Sequence, residues 1–167
     1  MSAVADPAQI ERAQDVQNVA IARLPHAPAD LPAYATRGSA GMDVRAALDA
    51  PMTLGPLERA LLPTGFTMMI PEGYECQVRP RSGLSIKRGV TLVNCVGTID
   101  SDYRDEVKIA VINLSNEAVT IEPGERVAQL VLAPVTRAIW VEVSPEVVEV
   151  SKASLDRAGG FGSTGVR

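Results

Sequence analysis

The densest polar chemistry in the chain lies in Asn94-Cys95-Val96-Gly97-Thr98-Ile99-Asp100-Ser101-Asp102-Tyr103-Arg104. A side-chain amide such as Asn94 donates and accepts at once, which suits the edge of a pyrimidine base. Val93 and Val96 are apolar, Gly97 marks a tight turn and Ile99 resumes a strand, so the segment reads as a hairpin with polar groups on its inner rim. Its backbone would add a carbonyl and an N–H to the same base edge. Asp100 and Asp102 beside Tyr103 suit three tasks: binding a metal, orienting a water, or capping a turn. The Asp-x-Asp spacing is shared with calcium loops, but the glycine and distal glutamate of that pattern are not in place.

A second constellation is cationic. Arg79-Pro80-Arg81-Ser82-Gly83-Leu84 sets two arginines around a proline that restricts the backbone. The planar guanidinium bonds two phosphate oxygens at once, and Ser82 with the N–H groups after Gly83 could finish an anion cradle. Lys87 and Arg88 add positive field nearby. Two lone polar residues stand apart from these clusters. Asp43 starts a strand just after Gly41-Met42, where a turn aspartate binding its own backbone is the plainer reading. Gln129 sits among apolar residues, either as a satisfied core amide, on an exposed face, or beside a phosphate.

The last nine residues, Gly159-Gly160-Phe161-Gly162-Ser163-Thr164-Gly165-Val166-Arg167, cannot hold one shape unaided, because glycine has too much backbone freedom to lose. A frayed tail is the ordinary expectation for a chain end. The ring of Phe161 inside a run of exposed N–H groups and hydroxyls instead suits a lid over a base and its phosphates.

Elements must bring these segments together. At 167 residues the chain fits one domain. With 12 prolines and 13 glycines it is broken often, which suits short strands joined by turns. The patterning predicts strands at Val19–Ala22, Met42–Ala46, Arg59–Leu62, Phe66–Ile70, Glu75–Val78, Val107–Leu114, Val127–Ala133 and Ile139–Val143. Val107, Ile109 and Val111 share one face of theirs, opposite Glu106, Lys108 and Ala110. Ser85–Arg88 is the one helical turn expected in the body of the domain. The fold class is therefore all-β, as two packed sheets or a closed barrel. Residues 1–18 are a polar extension that forms a short helix from Asp6 to Gln17 or stays loose. Residues 19–150 are the β domain and 151–167 a flexible glycine-rich arm.

The formal net charge of −4 argues against a protein that coats nucleic acid. Two cysteines, Cys76 and Cys95, are too few for a disulfide framework and read as reduced thiols in a cytoplasmic protein. No apolar run is long enough for a membrane span, and the N-terminus lacks the pattern of a secretory signal. The single histidine, His26, sits between prolines in a loop and cannot by itself build a histidine-rich metal site.

Taken in order, the segments around Asp43, Arg81, Asn94–Tyr103, Gln129 and Phe161 resemble the five motifs of the trimeric deoxyuridine triphosphatase (dUTPase) family, over about Val19 to Arg167. The resemblance implies a jelly-roll-like β-barrel and a homotrimer whose sites are shared between subunits. It implies magnesium-dependent hydrolysis of dUTP to dUMP and pyrophosphate, which limits uracil in DNA and supplies dUMP for dTMP synthesis. By similarity, Asp100 deprotonates the water that attacks the α-phosphorus. Asn94, with the Gly97, Thr98 and Ile99 backbone, pairs with uracil, and Tyr103 lies under the deoxyribose. Arg81, Ser82 and Gly83 bind phosphates, Gln129 contacts the α-phosphate and the water, and Asp43 orders the magnesium through water. Arg157 is matched to the γ-phosphate arginine, Phe161 to the ring stacked on uracil, and Gly162, Ser163 and Thr164 to the closing loop. Asp105 stands where the family usually has glycine, which predicts local strain in that turn. Arg157 stands one residue closer to Phe161 than the usual arginine, which leaves Arg167 as a conceivable substitute. The dCTP deaminase family shares the Arg-Ser pair and the Ile-Asp hairpin, but its glutamate-centred deamination pattern is not found. A shell-forming jelly roll would not need Asp100, Tyr103 and a glycine lid together.

Overall fold

The computed structural model describes residues 16–152 and 155. In chain order the strands are β1 (Ala20–Arg23), β2 (Ala33–Tyr34), β3 (Met42–Arg45), β4 (Met52–Leu54), β5 (Arg59–Pro63), β6 (Phe66–Met69), β7 (Tyr74–Pro80), β8 (Val90–Leu92), β9 (Gly97–Ile99), β10 (Lys108–Asn113), β11 (Val119–Ile121) and β12 (Arg126–Pro134). Two helices, α1 (Ser82–Arg88) and α2 (Pro145–Lys152), complete the described elements. The chain divides into two units, Met1–Val135 and Thr136–Arg167.

All strands belong to the first unit. They form a five-stranded sheet in the order β2-β3-β12-β7-β9, a three-stranded sheet β5-β10-β8, and the two pairs β1-β6 and β4-β11. Every pairing is antiparallel. The architecture is the expected jelly-roll-like all-β fold, built from packed sheets; among the described residues the ladders do not join into one closed barrel. One buried cluster takes Val44, Val78 and Leu130 from the large sheet, Leu62, Ile109 and Val111 from the three-stranded sheet, and Leu54 and Ile121 from β4-β11. The alternation expected around β10 holds: Val107, Ile109 and Val111 are fully buried while Lys108 is exposed. With few aromatics, these β-branched and leucine side chains supply most of the apolar area removed from water. Two polar side chains sit inside with their hydrogen bonds made. The Thr64 hydroxyl donates to the Val107 carbonyl at 2.6 Å, and the Asn113 amide donates to the carbonyls of Leu54 and Glu117 at 2.9 and 2.7 Å.

Seven of the eight expected strands appear within a residue or two of their predicted ends. The eighth does not: residues 136–144 form no strand, and Ile139, Trp140 and Val141 are 90%, 93% and 79% exposed. A strand needs a ladder partner, and the described residues of the second unit hold no strand to pair with. Sequence patterning also passed over α2, where Pro145 occupies the first helical turn and Lys152 the last.

The helical turn expected at Ser85–Arg88 begins three residues earlier, at Ser82. Arg81 stays extended (φ −94°, ψ 124°), so the helix starts at once after the β7 ladder ends. It stops at Gly89, whose φ of 68° lies in the left-handed region and whose N–H bonds the Ser85 carbonyl. A Cβ on Gly89 would also lie 2.8 Å from the backbone nitrogen of Ser115, so two independent constraints demand glycine there.

Candidate active site

Two clusters of polar chemistry flank β7. The first is cationic and is assembled by register. In the five-stranded sheet Gln129 of β12 lies opposite Asp43 of β3 on one side and Arg79 of β7 on the other. Directly opposed residues share a face of the sheet, so three chain-distant polar residues stand in one row. β12 shifts register against β3 between Arg126 and Ala128, and this irregularity turns the Arg126 side chain onto the same carboxylate. Arg81 Nε donates to Asp43 Oδ1 at 2.8 Å, Arg81 Nη2 to Oδ2 at 3.4 Å, and Arg126 Nη1 to Oδ2 at 3.1 Å. Arg81 Nη1 also donates to the Arg126 carbonyl at 3.2 Å. One carboxylate thus holds two guanidinium groups, and the trio keeps a net positive charge. Such an arrangement suits an anion: cations already fixed would need little rearrangement of their remaining N–H groups to take a phosphate.

Ser82 and Gly83 open α1 directly beside Arg81, and both are exposed. First-turn N–H groups of a helix lack intrahelical partners, and the Arg81 side chain does not cap them. Gln129 is half-buried. Its Nε2 donates to the Pro80 carbonyl at 2.9 Å, which ties β12 to the residue just before Arg81. Gly41 makes room for this amide: a Cβ there would lie 2.3 Å from Gln129 Oε1. Gly41→Ala therefore displaces the end of a flexible side chain. We expect folding stability to fall by at most about 1 kcal/mol, the net worth of one hydrogen bond, while kcat/KM of the activity proposed below falls about tenfold. Thermal melts and steady-state kinetics on the same preparation check the split.

The second cluster is a cleft of about 210 Å³. Asn94, Gly97, Thr98, Ile99 and Tyr103, the five residues matched by resemblance to base and sugar contacts, all line it. Val78, Val107, Lys108 and Ala110 complete the walls; sequence reading did not assign them. β9 forms the cleft's edge by pairing with β7, Val78 opposite Gly97 and Gln77 opposite Thr98. The loop after β9 is closed by two bonds: the Tyr103 N–H to the Asp100 carbonyl at 3.2 Å, and the Tyr103 hydroxyl to the Glu106 carbonyl at 2.9 Å. Arg104 Nη1 donates to the carbonyls of Ser101 and Tyr103 at 2.6 and 2.8 Å, which steadies the same turn. Asp100 directly follows the cleft-lining Ile99 and is exposed.

Two expectations about this segment are corrected. β8 and β9 are not hydrogen-bonded to each other: β8 pairs with β10 and β9 with β7. The link Val93–Val96 is therefore a corner between two sheets rather than the end of a hairpin ladder. Cys95, at φ 59°, redirects the chain there. Asp105 brings no left-handed strain, since the described non-glycine residues with positive φ are Leu57 and Cys95; a residue other than glycine is accommodated at that position.

Both cysteines are free thiols. Burial, with a smaller contribution from the Glu75 charge, pushes the Cys76 thiol up to about 11, so it is an inert core thiol rather than a nucleophile. Among the described residues no group of three or more His, Cys, Asp or Glu side chains converges on a metal position, and both Asp43 oxygens already accept from guanidinium groups. The described donor set does not fit a protein-caged ion. No hydrogen bond or ion pair among the described residues joins the cationic cluster to the cleft. Arg157, Phe161, Gly162, Ser163 and Thr164 lie outside the described residues.

The family model for dUTPase matches residues 27–165. A deoxyuridine 5'-triphosphate nucleotidohydrolase from Rhizobium etli is 60% identical over 141 residues, which cover 82% of this chain and 86% of that one. Its namesake from Desulfotalea psychrophila is 59% identical over 136 residues, covering 81% and 87%. Among solved structures, a dUTPase from Staphylococcus bacteriophage 80alpha, studied with dUpNHpp, superposes with a TM-score of 0.73 at 24% identity and covers 90% of this chain and all of that one. A mutant dUTPase of phage phi11 of S. aureus, described for its coordination of a structural Mg(II) ion, gives 0.67 at 24% identity, covering 76% and 97%. With four fifths of its length matched at about 60% identity, and with the cleft and the arginine cluster in place, the chain belongs to the dUTPase family.

Proposed function

We propose that the protein hydrolyses dUTP to dUMP and pyrophosphate by in-line attack of water on the α-phosphorus. The observation that carries this reading is the cleft: five residues matched to base and sugar contacts line one small cavity, and Asp100 is the next residue along the chain. Asn94 and the β9 backbone pair with the uracil edge, and the narrow corner at Gly97 leaves no room for a 5-methyl group. The Tyr103 ring packs under the deoxyribose and excludes a 2′-hydroxyl. Asp100 accepts a proton from the attacking water; the water oxygen bonds to the α-phosphorus as the bond to the bridging oxygen breaks, and pyrophosphate leaves. Arg81, Arg126, Ser82 and Gly83 meet the phosphate charge, and Gln129 the α-phosphate. Positioning and charge neutralisation do most of the work in phosphoryl transfer, and this residue set provides both.

Asp43 would act through water on magnesium carried by the triphosphate. When bound there the ion neutralises phosphate charge. The tail supplies Phe161 over the base, with Gly162, Ser163, Thr164 and Arg157 at the γ-phosphate. The enzyme works as a homotrimer in the cytoplasm. The exposed apolar run Ile139–Val141 supports contact with a neighbouring subunit. Among the described residues no helix is long and apolar enough to cross a membrane.

A substrate panel tests the reading. Incubation with dUTP, UTP, dCTP and dTTP is expected to give pyrophosphate rapidly from dUTP and at least about 10²-fold more slowly from the others, the discrimination within reach of a well-shaped pocket. Ammonia released from dCTP, or equal rates on dTTP, would contradict it.

A further inference from the structure

The Glu106 carboxylate is held from three sides, yet the proposed mechanism does not use it. Its side chain is 14% exposed. Oε1 accepts from His26 Nε2 at 2.8 Å and from the Gly65 N–H at 2.8 Å, and Lys108 Nζ stands 3.8 Å from Oε2. Burial alone would raise its carboxyl, but the bonds from His26 and Gly65 and the His26 and Lys108 charges outweigh that and hold it below the usual carboxylate range. The main chain just after it is pinned too: the Val107 N–H donates to the Phe66 carbonyl at 2.9 Å, and the Val107 carbonyl accepts from Thr64.

The carbonyl of this fixed residue receives the Tyr103 hydroxyl. The tyrosine ring lines the cleft, and its outer end is anchored at Glu106. The anchor reaches further. Gly65, at φ 74°, donates to Glu106 and accepts from the Leu24 N–H at 2.8 Å. A Cβ on Gly65 would lie 2.4 Å from Ala27 Cα, so the loop carrying His26 sits directly against it. A chain of short contacts thus runs from the 24–27 loop through Gly65 and Glu106 to the Tyr103 ring.

We propose that Glu106 is a positioning residue for Tyr103, and that through it the His26 loop sets how strictly the site excludes a 2′-hydroxyl. The proposal rests on the dUTP reading above. A ring held at both ends leaves no slack for one extra oxygen on the sugar. A ring whose outer anchor drifts can tilt away from it. Exclusion by sterics depends on displacements of about 1 Å, and losses of that size cost up to about 10²-fold in well-fitted sites.

The test is the ratio of kcat/KM for UTP to that for dUTP in the full chain. Glu106→Ala removes both acceptor bonds and is expected to raise the ratio about tenfold, the worth of one or two such bonds. Glu106→Gln keeps an oxygen for His26 and Gly65 and is expected to hold the ratio within about twofold of the parent. His26→Ala, which leaves the Gly65 bond intact, is expected to raise it about threefold, and this variant carries the test if Glu106→Ala does not fold. In a Tyr103→Phe background, which has lost the hydroxyl link, the Glu106→Ala and His26→Ala effects are expected to shrink to about twofold or less. An unchanged ratio in Glu106→Ala or His26→Ala, or the same rise with and without the Tyr103 hydroxyl, overturns the positioning role while leaving the dUTP reading intact. A parent protein that turns over UTP as fast as dUTP instead defeats the underlying reading.

Discussion

Replacing Asp100 by Asn is expected to lower kcat on dUTP by about 10²–10⁴, the usual worth of a positioned general base, with the fold and the affinity for the nucleotide staying near their parental values. The separation of effects follows from where the residue sits. Ile99 before it is buried in the cleft wall, but the Asp100 side chain is exposed and contributes nothing to the core. Its main-chain carbonyl, which accepts the Tyr103 N–H at 3.2 Å, is untouched by the change. The variant therefore keeps the turn and the tyrosine and loses only the proton acceptor. Pyrophosphate release gives kcat, and calorimetry with a non-hydrolysable dUTP analogue gives the affinity. A rate within tenfold of the parent would mean that another group takes the proton.

Deleting residues 159–167 is expected to lower turnover by about 10²-fold or more, since a closing segment both excludes water and holds the reacting groups aligned. Stability should not change. Among the described residues, every member of the buried cluster lies before Val135. Phe161→Ala should account for part of the loss, since stacking of a base on an aromatic ring is worth about 1–3 kcal/mol. Thermal melting beside steady-state assays separates the two quantities. Full activity after truncation would remove the lid role.

The cleft was legible in the sequence because it is nearly local. Asn94, Gly97, Thr98, Ile99 and Tyr103 fall within ten residues, and one corner and one short strand suffice to face them into a common space. What was not legible was pairing. The apolar pattern around Gly97 specifies that strands flank the turn but not that β8 and β9 take different partners, because each partner, β10 or β7, lies elsewhere in the chain. The same holds for the cationic cluster. Arg81 drew notice within its own loop and Gln129 as a single residue, yet their meeting with Asp43 depends on the β3-β12-β7 register. Arg126 escaped notice because a shift in that register, rather than any motif, turns it onto Asp43. His26 was read as a plain loop residue, since nothing near position 26 points to a carboxylate 80 residues away. Ile139–Val143 failed for the opposite reason. Its pattern is that of a strand, but a pattern cannot supply a ladder partner.

The central claim is that these chain-distant groups meet on one nucleoside triphosphate with a single carboxylate directed at its innermost phosphorus. A crystal structure of the full-length protein with α,β-imido-dUTP and magnesium tests it most directly. The account predicts uracil in the Asn94–Tyr103 cleft, Arg81 and Arg126 on phosphate oxygens, and an Asp100 oxygen bonded to a water in line with the α-phosphorus. A nucleotide bound elsewhere, or an Asp100 side chain turned to bulk solvent in the closed complex, would contradict it.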